Sequence, residues 1–154
     1  MRSAATLGGE LPSFYEDNGS ITYLHSILQH SDVIISAYIG LEDGSFRQAR
    51  QIDPAVEVQG KLPPPETRYA DRWITRAPGQ EPTDHYIFLD KERREIGRSD
   101  KGTSYDPRGR LWYETALASG GLSVSDVDVF AVLDLVGFTV GAPFYGADGN
   151  LRGV

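Results

Sequence analysis

The four residues Glu42-Asp43-Gly44-Ser45 join two runs of strand character, and that tight join narrows the possible folds more than any other feature of the chain. Residues 33–39 are β-branched and apolar, which suits a buried strand, and residues 46–52 alternate in polarity as a pairing strand does. Gly44 supplies a positive φ and the Asp43 side chain bonds to nearby backbone, so the two runs form a hairpin and are antiparallel. The pattern recurs. Strands are predicted at 68–76, 85–89 and 95–98, separated by turns at 77–82 and 90–94, and again at 127–132 and 137–143 before a turn at 146–150. Residues 20–31 carry Ile21, Leu24 and Leu28 at helical spacing, with Ser20 or Thr22 as the cap. Residues 111–119 are good helix formers stopped by Gly120-Gly121. Residues 53–66 hold four prolines and read as a loop outside the core. The order predicts an α+β fold: a central antiparallel β-sheet flanked by helices on one side, with an N-terminal helix. Residues 1–19 read as a loose lead-in and residues 20–154 as one domain, whose C-terminal strand begins at Leu151 and is expected to be truncated.

Composition removes several function classes. A net charge of −7 opposes the counterion displacement that nucleic-acid binding requires, and it opposes docking on an anionic membrane. With no cysteine there is no thiolate nucleophile, disulfide or zinc–thiolate site. No apolar run approaches the ~18 residues of a membrane span, and residues 1–9 lack the apolar stretch of a signal peptide. His25, His30 and His85 do not share metal-ligand spacing. Asp126, Asp128 and Asp134 lack the glycine and closing glutamate of a calcium loop. No P-loop, dinucleotide fingerprint or nucleophile elbow occurs. The expectation is a non-enzyme without metal or cofactor.

The segment Tyr105-Asp106-Pro107-Arg108-Gly109-Arg110-Leu111-Trp112-Tyr113 is the richest in recognition chemistry. Arginine offers a planar fork of donors to a carboxylate, tryptophan a flat wall with one N–H, and tyrosine a hydroxyl on an apolar body. A helix start adds donors for an anion. The plainer reading makes Trp112 and Tyr113 core aromatics and leaves the arginines in solvent. Arg110 and Trp112 are two residues apart, so they converge only if Arg110 precedes the first helical turn.

The same segment, continued by Glu114-Thr115-Ala116-Leu117-Ala118, resembles the Y-D-P-R-x-R-P-W-Y-x-x-A signature of Cache domains. Residues 38–46 are similar to the hairpin of that family. Val129-Phe130 and residues 138–143 look like its paired closing strands, and residues 148–154 like the turn into its last strand. In register, these motifs cover roughly residues 20–154. The resemblance implies a PAS-like fold and an extracytoplasmic, periplasmic small-molecule sensor of a membrane-anchored bacterial receptor. It looks most like the membrane-distal unit of sensors attached to cyclases, phosphodiesterases or chemoreceptors. The implied ligand is a small carboxylate or amino acid. The alternative is a ligand-free dimerisation and signal-transmission module, a homodimer joined through the N-terminal helix. Tyr105, Arg110, Trp112 and Tyr113 match the positions that hold a ligand carboxylate in amino-acid-sensing members, and Asp128 and Phe130 are the candidate contacts on the next strand. Two departures stand out. Asp128 is not aromatic where the family has an aromatic contact, and the aspartate that grips a ligand ammonium would fall just past Val154. Leu111 stands in place of the usual proline.

Overall fold

The computed structural model describes residues 19–31, 33–126, 128–130 and 135–154. Helix α1 (Gly19–Gln29) leads into strands β1 (Ser36–Gly40), β2 (Phe46–Gln51), β3 (Tyr69–Thr75), β4 (Thr83–Leu89) and β5 (Glu95–Gly102). A 3-10 turn (Pro107–Gly109) precedes helix α2 (Leu111–Ser119). Six short strands follow: β6 (Ser123–Val124), β7 (Asp128–Phe130), β8 (Leu135–Gly137), β9 (Val140–Gly141), β10 (Phe144–Tyr145) and β11 (Leu151–Gly153). The five long strands form one antiparallel sheet in the order β1-β2-β3-β4-β5, so every neighbour is joined by a direct connection. The fold is α+β, an antiparallel sheet flanked by helices, one of them N-terminal.

Register assigns each side chain to a face, because side chains alternate along a strand. Ala37 pairs with Ala49 and Ala49 with Asp71, so these share a face. Tyr38 pairs with Gln48, Gln48 with Arg72 and Arg72 with Tyr86, so these share the other. Leu24 and Leu28 of α1 pack on Ala37, Ile39 and Ala49. Trp112 of α2 packs on Tyr38 and Phe46. The two helices therefore cover opposite faces of the sheet, not one side as the element order suggested. Turn lengths fix strand direction but not the side to which a crossing chain returns.

Several boundaries also move. The first strand starts at Ser36 rather than residue 33, and Val33 is 87% exposed. The strand expected at 95–98 runs to Gly102, because the full length of β4 is available for pairing although its own polar sequence gives no alternation. Residues 137–143 do not form one strand but divide between β8 and β9. The proline-rich loop does enter the core: Val58 is buried with Ile52, Ala70, Tyr86 and Phe88. A tight turn with positive φ at Gln59 and Gly60 bridges Val58 to Lys61 and turns the valine inward. Helix α2 spans the expected residues, and Gly120 closes it in the left-handed conformation. The final strand pairs with the hairpin, since Gly40 and Val154 exchange both backbone hydrogen bonds at 2.9 Å and Glu42 N–H donates to Arg152.

Candidate functional site

The corner between β5 and α2 is held in place by the β1–β2 hairpin. Asp106 caps the 3-10 turn by accepting from the Arg108 N–H at 3.0 Å, and Pro107 at the turn's start is fully buried. Arg76 at the end of β3 donates through Nε to the Gly44 carbonyl at 2.8 Å and through Nη2 to the Tyr105 carbonyl at 2.6 Å. Arg108 donates to the Glu42 carbonyl at 3.1 Å. Two glycines make the approach possible. A Cβ on Gly40 would lie 2.8 Å from Pro107 and 2.9 Å from Trp112, and Gly44 holds φ 84° with Arg76 and Arg108 against it.

Arg110 adopts an extended backbone (φ −100°, ψ 141°) immediately before the first turn of α2. It therefore meets the condition for converging with the aromatics. Its guanidinium lies 5.6 Å from the centroid of the Tyr105 ring, and the side chain is exposed at the mouth of an open concavity of about 600 Å³. Arg72, Thr103, Ser104, Tyr105, Asp106 and Arg110 line that concavity. Tyr105 packs on Phe46 with ring centroids 5.3 Å apart. Burial raises the pKa of its phenol, against the pull of the Arg72 and Arg110 charges and a hydrogen bond with Trp112. Trp112 stands behind Tyr105 and meets Tyr38 edge-on, with centroids 4.8 Å apart. Tyr38 in turn shares a 2.6 Å hydrogen bond with Thr139, and burial, only partly offset by that bond, pushes its pKa up to about 12.

Tyr105, Arg110 and Trp112 are thus brought together. Tyr113 meets Trp112 edge-on, with ring centroids 5.5 Å apart, but it is 2% exposed, packs with Ala116 and Val154 and does not line the concavity. Burial raises its pKa, while nearby Arg108 works in the other direction. Asp128 and Phe130 lie on β7, paired with β8, and their side chains lie outside the described residues. Asp134 of the calcium pattern also lies outside them. Among the described residues no group of acidic or histidine side chains could hold a metal ion.

The sheet contributes residues that the sequence analysis did not single out. Arg72 forms a two-point bridge to Asp84, with Nε to Oδ1 at 2.9 Å and Nη2 to Oδ2 at 3.0 Å. Its guanidinium carbon lies 4.8 Å from the Tyr105 ring centroid, 5.3 Å from that of Phe46 and 5.5 Å from that of Tyr86. Burial alone would lower its pKa, but the Asp84 hydrogen bonds and charge, with Tyr86 and Tyr105, raise it above the usual arginine value. Gln48 and Arg50, on the same face of β2, are buried. The available signal was parity. Gln48 and Arg50 share the alternation of Phe46, which places polar groups where a strand puts core residues.

No family model, no curated protein and no solved structure matches the chain. Among the described residues no helix is long and apolar enough to cross a membrane.

Proposed function

We propose that the chain is a small-molecule sensing domain of the Cache kind, the extracytoplasmic part of a membrane-anchored signalling receptor, with a small carboxylate or amino acid as ligand. One observation carries this reading. The segment that resembles the Cache signature places Tyr105, Arg110 and Trp112 together, over a polar sheet face and beside an open concavity of about 600 Å³. A site of that size with a few convergent donors suits a small anionic molecule. The corner touches the hairpin through Arg76 and Arg108, so a ligand that prefers one setting of the corner would bias the hairpin and the strand beside it.

The alternative in which α1 is a dimer interface gains no support from its leucines, because Leu24 and Leu28 are 2% and 5% exposed and belong to the core.

Isothermal titration against small carboxylates, amino acids and amines tests the proposal. At least one anionic compound is expected to bind, and Arg110→Ala to weaken it by about 1.5 kcal/mol, a modest loss because water already screens this exposed guanidinium. A broad panel without any binding, on a folded protein, would remove the sensing function. Unchanged affinity in Arg110→Ala would remove Arg110 from the site.

A further inference from the structure

The ribbon formed by β6 and β9 is patterned inside out. Ser123 pairs with Gly141 and Val124 with Val140, and the Ser125 N–H continues the ladder to the Thr139 carbonyl at 2.8 Å. Exposure alternates strictly along both strands, so each residue has a definite side. The inward positions are small or polar. Thr139 meets the Tyr38 hydroxyl at 2.6 Å, and a Cβ on Gly141 would lie 3.5 Å from Val154 and 3.9 Å from Ala116. The outward positions include Leu122, Val124, Val136, Phe138 and Val140, which are between 54% and 78% exposed. A half-buried antiparallel ribbon ordinarily turns its apolar side chains in and its polar ones out. Close approach to α2 explains small residues inside. It does not explain large apolar residues outside, where polar ones would be better solvated.

We infer that the outward face of this ribbon is a dimer interface, closed by the same face of a second copy of the chain about a two-fold axis. The area fits. Five such side chains at these exposures present roughly 500 Å² of apolar surface, near the upper end for a monomer's largest patch. One side of a standard interface buries about 800 Å², of which about 60% is apolar. The charge fits as well. None of the five carries a charge, and the net charge of −7 opposes an anionic lipid surface as the occupant. Asp126 ends the stripe on the exposed side, and two ribbons running antiparallel across the axis keep their two copies of it apart. The surface is distinct from α1, whose leucines are in the core, and from the concavity at Arg110.

Sedimentation velocity on the whole chain from micromolar to millimolar concentration tests the inference, with Val124→Lys and Val140→Thr alongside and urea unfolding of each at the lowest concentration. The wild type is expected to pass reversibly from monomer to dimer and to stop there. Val124→Lys is expected to weaken the dimer at least tenfold, and Val140→Thr to weaken it less. Both should unfold at the wild-type midpoint when dilute, because these positions are exposed in the single chain. A wild type that stays monomeric, or one that grows past the dimer without stopping, would overturn the inference. So would undiminished association in both folded variants. A lower midpoint in both dilute variants, or failure of both to fold, would mean that the chain covers this face itself, which overturns it too. Co-sedimentation of a monomeric wild type with phosphatidylcholine vesicles would make lipid the occupant instead of a second copy.

Discussion

The two faces of the central sheet use burial differently. Under α1 the face is apolar where the helix lies: Leu24, Leu28, Ala37, Ile39 and Ala49 close over one another. His25 Nε2 there bonds Asp71, while His25 Nδ1 and Ser20 Oγ are buried without a hydrogen-bond partner. Under the Tyr105–Trp112 corner the face is aromatic and charged, with Gln48, Arg50, Arg72, Asp84 and Tyr86 all withdrawn from water or nearly so. Hydrophobic burial is non-directional and tolerates approximate fit, whereas buried charge demands a specific partner. The first face is therefore suited to holding the domain together. The second concentrates buried charge, and it lies beneath the corner proposed as the binding site.

Substitutions on each side can break that distinction. Leu24→Ala empties a fully packed position and should cost about 3 kcal/mol, measured by urea unfolding, with ligand affinity unchanged. A comparable loss of affinity would mean the faces are not separable. Asp84→Asn leaves Arg72 without its carboxylate beside an already uncompensated Arg50, and should lower stability by about 2 to 3 kcal/mol. Arg50→Met keeps the length of the side chain and removes the charge. Without ligand it should be neutral or about 1 kcal/mol more stable than wild type, the opposite sign from Leu24→Ala.

A pH dependence is confined to the alkaline range. Tyr38 keeps its phenol neutral to about pH 12 in the folded chain against an ordinary value of 10.0. The stability from this shift is present below pH 10 and is lost as pH rises through about 12. Alkaline unfolding curves should therefore fall over that window, and Tyr38→Phe should flatten the fall. Burial raises Tyr86 and Tyr105 as well, so the variant removes only part of it.

Local chemistry explains which parts of this arrangement were visible in the sequence. Asp43-Gly44 specified the hairpin, and Gly120 the end of α2, because each depends on backbone conformations few residues adopt. The corner was legible because its residues are contiguous. The sequence set only the condition that Arg110 precede the first helical turn, and the extended backbone of Arg110 meets it. The partners of the corner were not legible, since Arg72, Asp84 and Arg50 come from three strands and meet only through register. The burial of Tyr113 was not legible either, since Val154, which packs on it, is distant in sequence and arrives only with the last strand. Val58 entered the core through a turn at Gln59-Gly60 that composition alone marks as loop.

The most direct test compares the thermal shift produced by a small carboxylate that binds, in the wild type, Leu24→Ala and Arg110→Ala. If the face under α1 is for stability and the corner over the other face is for binding, Leu24→Ala starts from a lower midpoint yet gains as much as wild type, while Arg110→Ala starts near the wild-type midpoint and gains less. Equal gains in Arg110→Ala and wild type, or a gain lost in Leu24→Ala, would contradict the account.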